Sequence, residues 1–404
     1  MAVGLDEPDR LEAVPGIAWG TARAGLRKRG GDDLAVAELA EGAVVAAVFT
    51  RNAFAAAPVL VARRHLAMSE ARILVVNAGN ANAATGIQGV QDAEAVCSEA
   101  ARLAECPASA VLPFSTGVIG EPLPVDAIRE ALPRAWAARA ADGWLAAARA
   151  IMTTDTVPKG ASRTLTVGGR RITVTGIAKG AGMIRPDMAT MLAFVATDAA
   201  LSRTQAQAML EEAVAESFHC ITVDGDTSTN DAAVLVATGA SGVEIGPGDA
   251  AQRRLREAVT AVCRELAQAI VRDGEGATRF VTVEVEGGRD EAECRAVAFT
   301  VAQSPLVKTA LFAGDPNWGR IVAAVGRAGL ADLDPGGVDV AVNGVWVVRA
   351  GGRARDYREE DGVRAMAEPE VTIRIRLARG EARARVWTTD LSHDYVRINA
   401  EYRT

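Results

Sequence analysis

The sequence predicts an α/β fold with mixed sheets. Strand and helix patterns alternate along its 404 residues. Several neighbouring strand patterns have no helix between them, which calls for antiparallel pairing and argues against a purely parallel, doubly wound sheet. A hydrophobic share of 49% supplies one large core or two ordinary ones.

Residues 43–50 and 73–77 are apolar runs that read as strands. The spacing of Ala, Val, Cys and Leu predicts a helix over 92–105, and an Ala/Arg-rich pattern predicts a longer one over 125–149. Over 163–175, β-branched alternation flanks Val167-Gly168-Gly169-Arg170, a hairpin signal. The run 191–195 reads as a buried strand. Ser202 opens a helix over 202–216, and a second helix is expected over 248–272. Strands are then expected at 279–285, 296–300, 338–342, 371–377 and 384–388. No fixed-period repeat or linker interrupts this order.

Composition narrows the function. The net charge of −7 is spread, with no basic stripe, so nucleic acid is not an expected partner. No apolar run approaches the roughly 20 residues that span a bilayer. Residues 1–16 carry acids and lack the basic and apolar regions of a signal peptide. The protein is therefore expected to be soluble and cytoplasmic, with no membrane partner. Cys97, Cys106, Cys220, Cys263 and Cys294 are scattered without CxxC spacing, which indicates neither a disulfide framework nor a metal site. His65, His219 and His393 lie far apart and read as surface or satisfied core residues. The only lysines are Lys28, Lys159, Lys179 and Lys308. In so arginine-rich a chain, a lysine within a key run is there for its size or its titration, or by chance.

That key run is 179–197. It places Thr190 between a turn broken by Gly180, Gly182 and Pro186 and the apolar strand that follows. A threonine there is a weak nucleophile until the chain is cut before it. Scission of Ala189–Thr190 would give Thr190 an α-amine of reference pKa about 7.7–8.0, a usable base for its own hydroxyl. A nearby ammonium such as Lys179 would lower that value further. The same run also reads as a plain glycine turn with a structural threonine.

Three other constellations accompany it. Phe114-Ser115-Thr116-Gly117-Val118-Ile119-Gly120 offers a small hydroxyl and an unobstructed N–H for an oxyanion, or an ordinary turn. Residues 77–86, rich in Asn and Gly, suit a loop with positive φ values; they lack GxxxxGK[ST] and a clean GxGxxG, so nucleotide binding is rejected. Residues 224–231 are acidic, but Leu235 stands where a calcium loop needs its glutamate, so they more simply hold an adjoining turn together. In 273–278, Glu275 stands between two glycines as a ligand for a substrate ammonium or as part of a helix cap. The tail, 397–404, has no disorder signature, and its carboxylate is placed to meet a cationic substrate if the tail folds back.

Taken together, these motifs resemble the glutamate N-acetyltransferase family of arginine biosynthesis, also called ornithine acetyltransferase. The resemblance runs through 77–82, 115–117, 152–156, 179–194, 223–231, 273–278, 314–320 and 395–400. The chain departs from the family's habit at Arg185, Asp187, Ala78 and Ala84, none of them the nucleophile. The resemblance implies an α/β mixed-sheet sandwich of a type shared with self-processing aminopeptidases. It implies self-cleavage at Ala189–Thr190 into fragments 1–189 and 190–404, which share a core and associate as two copies of each. It also implies Thr190 as nucleophile, Thr116 and Gly117 as oxyanion hole, and substrate contacts at Thr153, Lys179, Thr190, Glu275, Asn399 and Thr404.

The implied reaction is a ping-pong transfer of acetyl from N2-acetylornithine to glutamate through an acetyl-threonine ester. It needs no cofactor and no metal; acetyl-CoA is a further acetyl donor in bifunctional members, the form expected here, although no residue decides it. The competing expectations are a self-processed amidase or aminopeptidase on the same threonine, a non-catalytic binding protein, and an acetyltransferase paralogue of specialised metabolism.

Overall fold

The computed structural model describes residues 2–28, 30–185 and 191–401. The expected cleavage residues Ala189 and Thr190, and the terminal Thr404, lie outside the described residues. The described chain forms two compact units, one built from 7–219 and 226–270, the other from 2–6, 220–225 and 271–401.

The first unit holds two sheets. One has four strands in the order β1 (Ile17–Ala22), β2 (Leu34–Leu39), β4 (Ile73–Asn80), β5 (Val111–Val118), with only β4–β5 parallel. The other has five, in the order β3 (Val44–Phe49), β9 (Ala232–Ala237), β8 (Leu192–Thr197), β7 (Arg170–Lys179), β6 (Lys159–Val167), with only β8–β9 parallel. Alternate residues of a strand share a face. Accordingly Ala35, Leu74 and Phe114 of the first sheet meet Val45, Phe194 and Val234 of the second in one apolar core. The Phe114 and Phe194 rings meet edge to face at 5.0 Å, the arrangement aromatic quadrupoles favour.

Helices cover both outer faces. α2 (Gly86–Leu103) and α3 (Val125–Ala137) lie on the four-stranded sheet, where Val96 and Ile128 join Val75. α5 (Arg203–Ala215) packs on β3 and β9, and α6 (Ala250–Arg272) on β7, so close that a Cβ at Gly176 would meet Val262 at 2.9 Å. α1 (Ala57–Met68) and α4 (Trp144–Ala150) complete this unit's helices among the described residues. The layers are helix, sheet, sheet, helix: the mixed-sheet sandwich that was expected.

The second unit is a six-stranded sheet. Its order is β13 (Gly352–Arg353), β12 (Val345–Arg349), β11 (Asp339–Val342), β14 (Glu370–Arg376), β10 (Phe280–Gly288), β15 (Ala382–Thr389), with β10–β14 the parallel pair. α7 (Glu291–Ala302), α8 (Pro305–Ala313) and α9 (Trp318–Gly326) bury Val297, Leu311 and Ile321 against Val283 and Ile373. α10 (Glu359–Ala365) and α11 (His393–Glu401) follow in the chain. Among the described residues no single helix is long and apolar enough to cross a membrane.

Two expectations fail. The helix over 125–149 is broken into α3 and α4, because Ala140 leaves the helical path to bridge Trp19. A Cβ on Gly143 would lie 2.2 Å from the Trp19 carbonyl oxygen, so only glycine allows the approach. The strand expected at 296–300 lies inside α7. Asp290 caps that helix by accepting the Glu293 N–H at 2.8 Å, and the cap and the buried face prevail over a short apolar run.

A buried lysine gives the second unit a pH signature. Lys308 is enclosed, donating to the Thr388 and Thr389 hydroxyls at 3.1 Å and to the Thr389 carbonyl. Burial pulls its ammonium down to about 7, against upward pulls from Asp390 and Asp224. Between about 7 and the ordinary 10.5 the unfolded chain then binds the extra proton, so stability rises with pH. The melting temperature is expected to climb across that window, and Lys308→Met to flatten the climb. Parallel slopes for the two proteins would contradict this.

Candidate active site

Lys179 ends β7 and is 9% exposed, so its ammonium must find partners inside the protein. It donates to the Thr153 hydroxyl at 2.8 Å and to the Thr116 hydroxyl at 3.2 Å. Thr116 lies in β5 of the other sheet, and Thr153 in the turn after α4. One lysine thus ties three segments together. A hydroxyl accepts through its lone pairs and donates through one hydrogen. Since Lys179 donates into Thr116 Oγ1, the Thr116 hydrogen is aimed at some other acceptor.

Beneath this lies a buried charge cluster. Lys159 Nζ stands 2.6 Å from Asp155 Oδ1, both side chains fully enclosed, and Lys179 Nζ stands 3.9 Å from Asp155 Oδ2. The N–H groups of Gly180 and Thr153 donate to the same carboxylate at 2.7 and 3.0 Å. Burial alone would raise the Asp155 pKa. The two ammonium groups and the hydrogen bonds overcome it and hold the carboxyl well below the usual range. Two cations around one carboxylate suit an anionic ligand or an oxyanion.

The asparagine loop braces β5. β4 and β5 run parallel with Ala78 level with Thr116. The Ser115 hydroxyl donates to Asn77 Oδ1 at 2.6 Å, and Asn77 Nδ2 to the Asn80 carbonyl at 2.9 Å. Asn82 and Ala84 take positive φ values of 47° and 57°, as the loop's composition leads one to expect. Asn230, just before β9, donates to the Ala81 and Ser115 carbonyls at 2.6 and 2.9 Å, pinning one sheet to the other. The Thr227 hydroxyl donates to the Arg185 carbonyl at 2.9 Å, so this stretch of the acidic run does hold the adjoining turn.

Gly117 has φ +134°, and a Cβ there would lie 2.2 Å from the Gly79 carbonyl carbon and 2.5 Å from the Asn80 nitrogen. Both are backbone atoms that cannot swing aside. Gly117→Ala is expected to destabilise the protein by about 2–3 kcal/mol, measured by denaturant unfolding; a loss under about 0.5 kcal/mol would contradict the close contact. Beside this cluster a cavity of about 510 Å³ opens, lined by Arg27, Asp32, Arg149, Thr153, Asp155 and Thr156 among others.

In the second unit Asn399, on α11, donates to Glu275 Oε2 at 2.7 Å and to the Tyr395 carbonyl at 3.0 Å. The Ser392 hydroxyl donates to the Gly276 carbonyl at 2.6 Å. The chain through α11 therefore does fold back, onto the 273–278 turn.

Of the residues picked out in the sequence, Thr116, Thr153 and Lys179 meet, with Gly117 next in the chain. Glu275 and Asn399 meet each other. Asp155, Lys159 and Asn230 appeared only within longer runs or among the lysines, with no site role. A fixed-charge pair at Asp155 and Lys159, four residues apart and one member a rare lysine, was the available signal for the first two.

The chain matches the ArgJ family over residues 18–404. It is 58% identical over 396 residues to the arginine biosynthesis bifunctional protein ArgJ of Methylococcus capsulatus, covering 98% of this chain and 97% of that one. It is 55% identical to the protein of the same name from Pseudomonas syringae pv. tomato, over the full length of both. Among solved structures, the arginine biosynthesis bifunctional protein argJ of Bacillus halodurans aligns with 38% identity and a TM-score of 0.51, covering 53% of this chain and all of that one.

Proposed function

Because the chain belongs to the ArgJ family, we propose that it transfers acetyl from N2-acetylornithine to glutamate through an ester on Thr190. The relatives in arginine biosynthesis are named bifunctional; this chain is read in the same way, with acetyl-CoA as its second acetyl donor. The chain cuts itself at Ala189–Thr190, giving 1–189 and 190–404. The freed amine of Thr190 takes the proton of its own hydroxyl as Oγ attacks the acetyl carbonyl. Thr116 O–H and Gly117 N–H face the oxyanion. Ornithine leaves, and the glutamate amine then attacks the ester and departs as N-acetylglutamate.

The observation that carries this reading is the Lys179 ammonium shared between the Thr116 and Thr153 hydroxyls. It turns the Thr116 hydrogen outward as a donor, and Lys179 ends the strand that leads to the scissile bond. Glu275 faces the ornithine ammonium, supported by Asn399, and Thr404 is a further substrate contact. No cofactor enters the scheme. Two copies of each fragment associate, in the cytoplasm.

The test is a product analysis with acetyl-labelled N2-acetylornithine and glutamate. Label is expected in N-acetylglutamate, faster than free acetate appears. Acetate as the main product would make the protein an amidase instead.

A further inference from the structure

A buried acid shapes a loop that touches the site. Asp33 is 1% exposed and immediately precedes β2. Its Oδ1 accepts the N–H groups of Ala24 and Gly25 at 2.6 and 3.3 Å, and its Oδ2 accepts those of Leu26 and Arg27 at 2.6 and 3.1 Å. Four consecutive donors gathered by one side chain fix the course of the 24–27 backbone. The Asp33 carbonyl accepts the Ala78 N–H at 2.9 Å, and Ala78 is level with Thr116. The acid is thus pinned to the strand pair β4–β5, which carries Thr116 and Gly117.

The loop it shapes reaches both halves of the site. Gly79 has φ +115°, and a Cβ there would lie 2.6 Å from the Leu26 carbonyl oxygen. Gly117 lies as close to the Gly79–Asn80 peptide, where its own Cβ would meet the Gly79 carbonyl carbon at 2.2 Å. The 24–27 loop, Gly79 and Gly117 therefore stack backbone on backbone, and close packing of this kind passes a shift along. The same loop sends Arg27 to the turn after α4, where Nη1 donates to the Met152 carbonyl at 2.6 Å. Met152 precedes Thr153, whose hydroxyl shares Lys179 with Thr116. Resting on the acetyl transfer proposed above, we infer that Asp33 is a positioning residue for it: its carboxylate holds the 24–27 loop as a wedge that sets the Gly117 N–H and, through Arg27, the Thr153 turn. An oxyanion hole works when its donors are aimed in advance at the place where charge develops. A misplacement of about 1 Å from a distant change can cost about 100-fold in rate.

Asp33→Asn keeps the side-chain shape but turns one acceptor oxygen into a donor, so two of the four loop N–H groups lose their partner. Acetyl transfer from N2-acetylornithine to glutamate is measured at a temperature where denaturant unfolding shows the variant fully folded. kcat and kcat/KM are expected to fall together by about 10- to 100-fold with KM nearly unchanged, the mark of an interaction made only in the transition state. Arg27→Met should lower kcat by about 10-fold, and Arg27→Lys, which keeps a donor for the Met152 carbonyl, should restore most of it. A folded Asp33→Asn with wild-type kcat, or a loss carried by KM alone, overturns the assignment. If Asp33→Asn does not fold, the Arg27 pair decides from the other end of the loop, and wild-type kcat in Arg27→Met overturns it. Thr116→Val in the same assay separates the two ideas. If it loses activity while folded Asp33→Asn keeps it, only the role of Asp33 falls; if Thr116→Val itself turns over normally, the oxyanion reading falls.

Discussion

Thr190→Ala is expected to yield one uncut 404-residue polypeptide with no measurable acetyl transfer, against two fragments of similar size for the wild-type chain. N-terminal sequencing of the second wild-type fragment should begin Thr190-Met191-Leu192. The effect is large because one side chain supplies two functions. In the proposed mechanism its oxygen is the attacking atom in scission and again in turnover, and its nitrogen becomes a base only once the peptide bond is gone. Thr190→Ser retains a hydroxyl and should still cut. Scission at the same bond in the alanine variant would show that something other than this hydroxyl attacks Ala189.

Lys179→Met should leave the protein folded and lower kcat by about 100- to 1,000-fold. Folding survives because Lys159 still neutralises Asp155 at 2.6 Å, so no buried carboxylate is stranded. Activity falls because the Thr116 and Thr153 hydroxyls lose a common donor. Thr116 then loses the donor that directs its hydrogen, and the positive charge beside the proposed oxyanion hole goes. Lys159→Met makes the complementary case: it breaks the fully enclosed ion pair and should cost about 3–5 kcal/mol of stability. Equal activity in Lys179→Met and the wild-type chain would remove Lys179 from the mechanism.

The sequence made the fold class legible where patterns were long. The hairpin over 163–175 appears as β6 and β7 joined at Gly168-Gly169, and Ser202 caps α5 through a reciprocal bond with Gln205. Strands β1, β2, β5 and β9 were not assigned, because Ala, Gly and Pro, poor strand formers, dilute their apolar residues. The break between α3 and α4 depends on a contact between Ala140 and Trp19, far apart in sequence.

The site was legible as motifs, not as geometry. Thr116 and Lys179 stand 63 positions apart, and only the stacking of two sheets brings them to 3.2 Å. Asp155 was visible only as a member of a motif; its place between two ammonium groups depends on the folded turn. Asp33 stood in no motif, because sequence does not report which loop N–H groups a carboxylate will gather.

The covalent step can be tested on the intact enzyme. Wild-type protein is mixed with acetyl-labelled N2-acetylornithine in the absence of glutamate, quenched in acid, and analysed by mass spectrometry. One labelled acetyl group is expected on the fragment that begins at Thr190, on the threonine oxygen, and added glutamate should carry it away as N-acetylglutamate. Full turnover by an enzyme whose Thr190 never carries label, or whose chain is never cut, would contradict the mechanism.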